Sequence, residues 1–193
     1  MIKAIKKIIG FSKFFTSENV EYVLYDKRGN VKQLFQPFWL VALVIKYFGI
    51  QVPQNLFFGT WQNSLKTANL ITNTGLAGLS SRIGGAGAEA VFTYLALGAG
   101  TTAANVADTT LESEITDSGL ERSAAAVSQV TTTQTDDTSQ LVKTWTATGA
   151  KVVTEAGVLN AASSGVLVSR QVFSAVSIGS GDSFQATYKL AVS

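Results

Sequence analysis

Glu112, Glu114, Asp117 and Glu121 form the densest group of carboxylates in the chain. Two carboxylates can hydrolyse a glycoside, one as acid and the other as base or nucleophile, when a cleft holds the sugar between them. Such a cleft is lined by aromatic rings, and the surrounding DTTLESEITDSGLERSAA contains none. The cluster therefore reads as a solvated loop, or as a loop pinned by pairing Glu114 with Arg122. Calcium is a further use for the same oxygens, through Asp108, Glu112 and Glu114, or through Asp136 and Asp137 with nearby carbonyls. Neither loop has EF-hand spacing. We expect no catalytic residue, no cofactor and no metal site.

Glu155 lies in VVTEAGVLNA, among small and apolar residues. It either faces solvent opposite a buried Thr154 and Ala156, or is held by a buried partner. Arg170, in LVSRQVF, is the one basic residue between Ala156 and Gln185. The strand-like runs 152–160 and 165–173 are joined by residues 161–164, a connection short enough for a hairpin. Pairing outward from it brings positions 155 and 170 opposite each other, within a slip of a residue or two. A charge-assisted bond there, bidentate if the guanidinium lies flat against the carboxylate, would fix strand register and perform no chemistry. The competing use sends each charge to a neighbouring subunit.

Trp39, Trp61 and Trp145, with Tyr47, Phe57 and Phe58, could stack on pyranose rings. Burial in a core or an interface is the default use of such rings, each covering about 150–250 Å², and most of these lie in the apolar segments PFWLV and LFFGTW. Gly84, Gly85 and Gly87 in RIGGAGAE resemble a phosphate loop. A dinucleotide fingerprint needs strand, glycine turn and helix in that order, whereas here the candidate helix comes first and a strand follows.

The rest of the composition narrows the chemistry. The 193 residues include no cysteine and no histidine, so thiolate nucleophiles, disulfides and the usual zinc ligands are excluded. Only 15% of residues are charged and 46% are hydrophobic, the profile of a packed scaffold. Charge is uneven: residues 1–50 carry eight basic and three acidic side chains (+5), and residues 51–193 carry seven and ten (−3). A net +5 over an apolar stretch without a reading module argues against specific nucleic-acid binding.

These residues sit on elements that the pattern also predicts. MIKAIKKIIGFSKFF has the spacing of a short, basic, amphipathic helix with Ile5, Ile8 and Phe11 on its apolar face. Its lysines interrupt any signal-peptide core, which leaves membrane-surface binding or docking against protein. Residues 20–35 read as a hairpin turning at 26–30, with Gly29 at positive φ. Then comes PFWLVALVIKYFGIQVP, bracketed by Pro37 and Pro53 and too short to span a bilayer of about 30 Å. Residues 64–82 hold a helix capped by Thr72 or Asn73, with Gly75 a tolerated cost of about 1 kcal/mol. Beyond it, runs at 91–97, 124–134, 139–148, 152–160, 165–173 and 183–192 alternate like strands separated by turn residues. The expected fold is mainly β: an antiparallel β-sandwich or jelly-roll-like body over 61–193 that includes one short helix, behind an N-terminal arm and hairpin over 1–60. Eight threonines between Thr131 and Thr148 would leave one sheet face polar and uncharged, suited to another protein or to solvent.

One long stretch has a family resemblance. NLITNTGLAGLSSRI, then TYLALGAGTTAANVADTTLESEIT, GLERSAA and TWTATGAKVVTEAGVLNAASSGVLVSRQVFSAVSIGSGDSFQATYKLAVS resemble a family of small tailed-bacteriophage virion proteins, labelled tail-fibre, neck or head-decoration components. The resemblance covers about residues 64–193, and its ordered succession is ALGAGTT, TEAGVLNA, LVSRQVF and GDSFQATYKL. It implies a structural component located in the virion, with no catalytic residues to carry over. The basic opening and the apolar run 38–48 depart from the family pattern. We expect a non-enzymatic capsid decoration or cement protein; a neck or tail/fibre attachment component and a glycan-binding host-recognition module are the alternatives. Expected partners are the major capsid protein or neck and tail proteins, with multiple copies or a homo-oligomer and no membrane span. Ile5, Ile8, Phe11, Phe38, Trp39 and Trp61 are the candidate partner contacts, and Glu155 with Arg170 is the candidate structural pair.

Overall fold

A computed structural model of the chain describes residues 20–37, 59–87 and 89–191. The expected basic helix and the apolar run, with Ile5, Ile8, Phe11, Phe38 and Trp39, lie outside the described residues. In chain order the described strands are β1 (Val20–Tyr25), β2 (Val31–Lys32), β3 (Leu34–Pro37), β4 (Gly59–Gln62), β5 (Leu65–Thr67), β6 (Leu70–Ile71), β7 (Tyr94–Gly98), β8 (Ser123–Ala124), β9 (Ala126–Val130), β10 (Thr138–Thr146), β11 (Lys151–Leu159), β12 (Leu167–Ile178) and β13 (Ser183–Ala191). Helix α1 (Asn73–Gly84) lies between β6 and β7.

All the strand pairings are antiparallel, and two sheets result, as the alternating runs predict. One has the order β2-β1-β13-β10-β9, with β5 beside β1; the other has the order β6-β12-β11-β7-β8. β3 and β4 make a separate ribbon. The sheets face each other across one core, where Tyr22 of β1 lies 4.5 Å, ring to ring, from Phe173 of β12. Strict alternation drives this packing: Val20, Tyr22 and Leu24 point inward from β1, and Phe184, Ala186, Tyr188 and Leu190 from β13. The body is thus an antiparallel β-sandwich.

The hairpin grouped in sequence with the arm belongs to this body. Asp26 closes its turn by accepting the amides of Arg28 and Asn30, and Gly29 takes φ 84°. β1 then pairs along its whole length with β13, and Tyr22 and Leu24 are core residues. Val20–Tyr25 therefore belongs to the sandwich, and position 60/61 is no boundary of it.

Three further expectations are adjusted. The run at 124–134 begins one residue earlier and changes sheets: Ala124 pairs with Tyr94 in one sheet and Ala126 with Val142 in the other. It stops at Val130 because the Asp137 carboxylate captures the amides of Thr132, Thr133 and Gln134 and bends the chain. Thr131, Thr132, Thr133 and Thr135 consequently crowd an exposed tip, and of the eight only Thr138, Thr144 and Thr146 have the outward parity of β10, Thr138 being buried against Thr132. The last hairpin is also longer than its sequence suggests, with β12 running to Ile178.

Helix α1 starts where expected. The Thr72 hydroxyl accepts from the Gly75 amide at 2.9 Å and donates to the Leu167 carbonyl, tying the cap to β12. Gly85 ends the helix in the left-handed conformation, φ 63°. Gly75 is more than tolerated: a Cβ there would lie 2.4 Å from the Val168 carbonyl oxygen, so glycine lets the helix axis approach the strand.

Candidate functional site

β11 and β12 are buried along almost their whole length, which means that both of their faces are covered. One face looks into the sandwich core. Over the other lies the connection between β7 and β8, residues 99–122, which contains no helix or strand and is joined to β7 through a single bridge, Gly98 to Glu114. A connection of this length without secondary structure needs its own anchors. Leu111 supplies an apolar one, packing with Ala96, Leu159 and Leu167 in a small second cluster.

Glu155 and Arg170 supply the polar anchor. Register places Glu155 opposite Val172 and Arg170 opposite Gly157, so the pair is diagonal, offset by two residues on one sheet face. Positions two apart on a strand point the same way, and Gly157 leaves room between them. Arg170 Nε donates to Glu155 Oε2 at 2.8 Å, and the two side chains are 3% and 0% exposed. The contact is single, and the remaining guanidinium nitrogens reach the connection: Nη1 donates to Asp108 at 2.8 Å, and Nη2 donates to the Thr102 carbonyl and to Glu112. Glu155 does the same with its oxygens. Oε1 accepts from the amides of Gly100 and Ser113, and Oε2 from the amide of Glu112 as well as from Arg170.

Gly98 and Gly100 make this possible. A Cβ at either would lie 2.4–2.5 Å from Glu155 Oε1. Burial alone would lower the Arg170 pKa, but its bonds to Asp108 and Glu155 outweigh that and raise it, so the guanidinium stays charged. Glu112 titrates below the usual carboxylate range, chiefly because the Thr102 hydroxyl and amide donate to it.

The remaining acids of the cluster are dispersed. Glu114 pairs bidentately with Arg122, as the loop-pin reading expects, at 2.8 and 2.5 Å; the same guanidinium donates to the carbonyls of Ala161 and Ser164, fastening the connection to the β11–β12 turn. Asp117 meets Lys151 at the rim of a shallow open cleft, and Glu121 accepts from the Gly119 amide. Asp108 and Glu112 face Arg170 while Glu114 faces Arg122, so the first calcium set does not converge. Asp137 is occupied by backbone amides and lies far below its usual range through them, the Gln134 amide foremost. Among the described residues no three potential metal ligands gather.

Of the six aromatic residues considered for a sugar platform, Trp145 and Trp61 are described, and they stand apart in their uses. Trp145 is buried in the core, and its indole N–H donates to the Glu121 carbonyl. Trp61 is 51% exposed on the β3–β4 ribbon, edge-on to Phe35; Trp39, Tyr47, Phe57 and Phe58 lie outside the described residues. Sequence reasoning missed Asp108, Glu112 and the two glycines as parts of the Arg170 centre. The signal was present as glycines at alternate positions, 98 and 100, leading out of a strand. Among the described residues no helix is long and apolar enough to cross a membrane. The chain matches no family model, no curated protein and no solved structure.

Proposed function

We propose that this chain is a non-enzymatic structural component of a virion, and that it acts as a capsid decoration or cement protein. Supporting this reading is the bonding of the buried Glu155–Arg170 pair: both oxygens of Glu155 and every nitrogen of Arg170 engage the chain's own backbone and side chains. The chemistry so arranged stiffens a surface connection. The outer face of the six-stranded sheet offers a broad contact area, with Val23, Gln140, Val142, Thr144, Gln185 and Thr187 in adjacent register. Glu21, Lys66 and Lys189 share this face, and a mixed polar surface of this kind suits attachment at many equivalent sites, where multiplicity compensates for modest affinity per site. The sequence resemblance over residues 64–193 points to the same class.

A neck or tail/fibre attachment role is the second reading. The exposed Trp61, next in chain order to the apolar segment ending in LFF, favours it as a plug between virion proteins. Imaging particles made with and without the protein separates the two: density distributed over the shell supports cement, and density at one vertex supports the neck or tail. A particle population with no density for the protein overturns both. The arm is tested by deleting residues 1–19 alone, since removal of 1–60 would also take β1 out of the core. Reduced occupancy of the otherwise folded protein is expected; full occupancy would assign attachment to the body.

A further inference from the structure

We propose that the outer edge of β9 pairs antiparallel with the same edge of a second copy of this chain, the Ser128 residues of the two copies facing each other across a two-fold axis. This pairing does not depend on a virion role. β9 is bonded on one side to β10, from Val130 opposite Thr138 to Ala126 opposite Val142, and closes its sheet. On its other side no described strand pairs with it. The strand's exposed outer edge offers a row of backbone donors and acceptors that extended backbone complements.

The residues of the edge select a second copy. Exposed edges are ordinarily blunted by lysine, proline or a bulge. Residues 123–135 contain no charged residue and no proline, and the β9–β10 register runs without a shift. Self-pairing of a charged strand would oppose like charges, which is destabilising. Pairing of AVSQV with itself opposes none: Ser128 meets Ser128, Val127 meets Gln129, and Ala126 meets Val130. A charged partner strand would find no counter-charge on β9. Val127 is 49% exposed although it stands opposite the core residue Leu141, because β8, the facing edge strand, is only two residues long. In the pair the aliphatic stem of Gln129 from the other copy covers it. The arrangement is isologous, so it closes at two copies and joins two sheets into one.

The test uses the full chain with Ser128→Lys and Ser128→Glu, both at an exposed position. Mass in solution is measured at about 100 μM, enough to populate a pair with micromolar affinity. The wild type is expected to show twice the mass of each variant, and an equimolar mixture of the two variants to recover the wild-type mass through opposed Lys and Glu. Hydrogen exchange provides a second reading: β9 amides protected in the wild type exchange in Ser128→Lys, while those of β10 and β13 remain protected and show that the variant is folded. A wild-type monomer, variants that keep the wild-type mass, or a mixture that stays at the mass of the separate variants would each overturn the proposal.

Discussion

Replacing Glu155 by Gln tests the anchor most directly, because shape is kept and only charge and one acceptor are lost. The carboxylate receives four hydrogen bonds: the Gly100 amide at 3.0 Å and the Ser113 amide at 2.7 Å on Oε1, the Glu112 amide at 3.1 Å and Arg170 Nε at 2.8 Å on Oε2. A glutamine must turn its NH₂ toward one of these two pairs, and both consist of donors. Two bonds are lost in either orientation, and buried donors lose their acceptor at about 1–3 kcal/mol each. The charge balance of Arg170 falls less, since Asp108 and Glu112 stay beside it. The expected loss is about 3–5 kcal/mol, in the range measured when one partner of a buried pair is removed. Urea unfolding near neutral pH measures it, and the fluorescence of Trp145, whose indole bonds to Glu121 in the connection, follows the transition. For a denaturant dependence of about 2 kcal/mol per molar, the midpoint falls by about 2 M. Arg170→Met and the double variant complete the cycle, with a coupling energy of about 2 kcal/mol expected for groups in contact. A loss under about 1 kcal/mol for Glu155→Gln, additive with Arg170→Met, would refute the idea that this carboxylate holds the connection down.

Gly75→Ala and Gly84→Ala should move stability in opposite directions. Alanine at 75 drives a methyl into the Val168 carbonyl and costs about 1–3 kcal/mol, whereas position 84 has open space and gains up to about 1 kcal/mol of helix propensity. Paired thermal melts decide, and an unharmed Gly75→Ala would remove the close approach of α1 to β12. Tyr22 and Tyr188 should resist ionisation, because burial, the leading cause in each, raises both pKa values above the usual 10. For a pKa raised on folding, the stabilisation is complete below the unfolded value and declines as pH rises past it. Stability should therefore fall above about pH 10, with two of the five tyrosines ionising only on unfolding. Phenolate absorbance under native conditions measures this, and five freely titrating tyrosines would contradict it.

Much of the sandwich was legible in local pattern. Alternation in VEYVLY and SFQATYKLA assigns one face to the core because successive side chains on a strand point to opposite sides. Thr72, Gly75 and Gly85 mark the cap, body and end of α1 through chemistry that depends on a few neighbouring residues. A lone arginine among apolar residues, facing a lone glutamate across a short connection, likewise announces a partnership, since neither charge can be buried by itself. The two-residue offset was beyond reach, because the connection closes one residue out of step, with Leu159 opposite Leu167, and the bulge between Val158 and Leu159 adds a second.

Composition by itself determined that this chain has no thiol or imidazole chemistry, and hydrophobic periodicity determined that its body is β. Only the tertiary structure decided where the hairpin at 20–32 belongs: nothing within VEYVLY distinguishes a strand that pairs with β13, over 150 residues away in the chain, from one in a separate arm. It also decided the use of the acids. Asp108, Glu112 and Glu114 are close in sequence and look like one cluster, yet two arginines from different parts of the chain divide them, because a folded chain gathers charges by distance in space and by the need to compensate each one that leaves water.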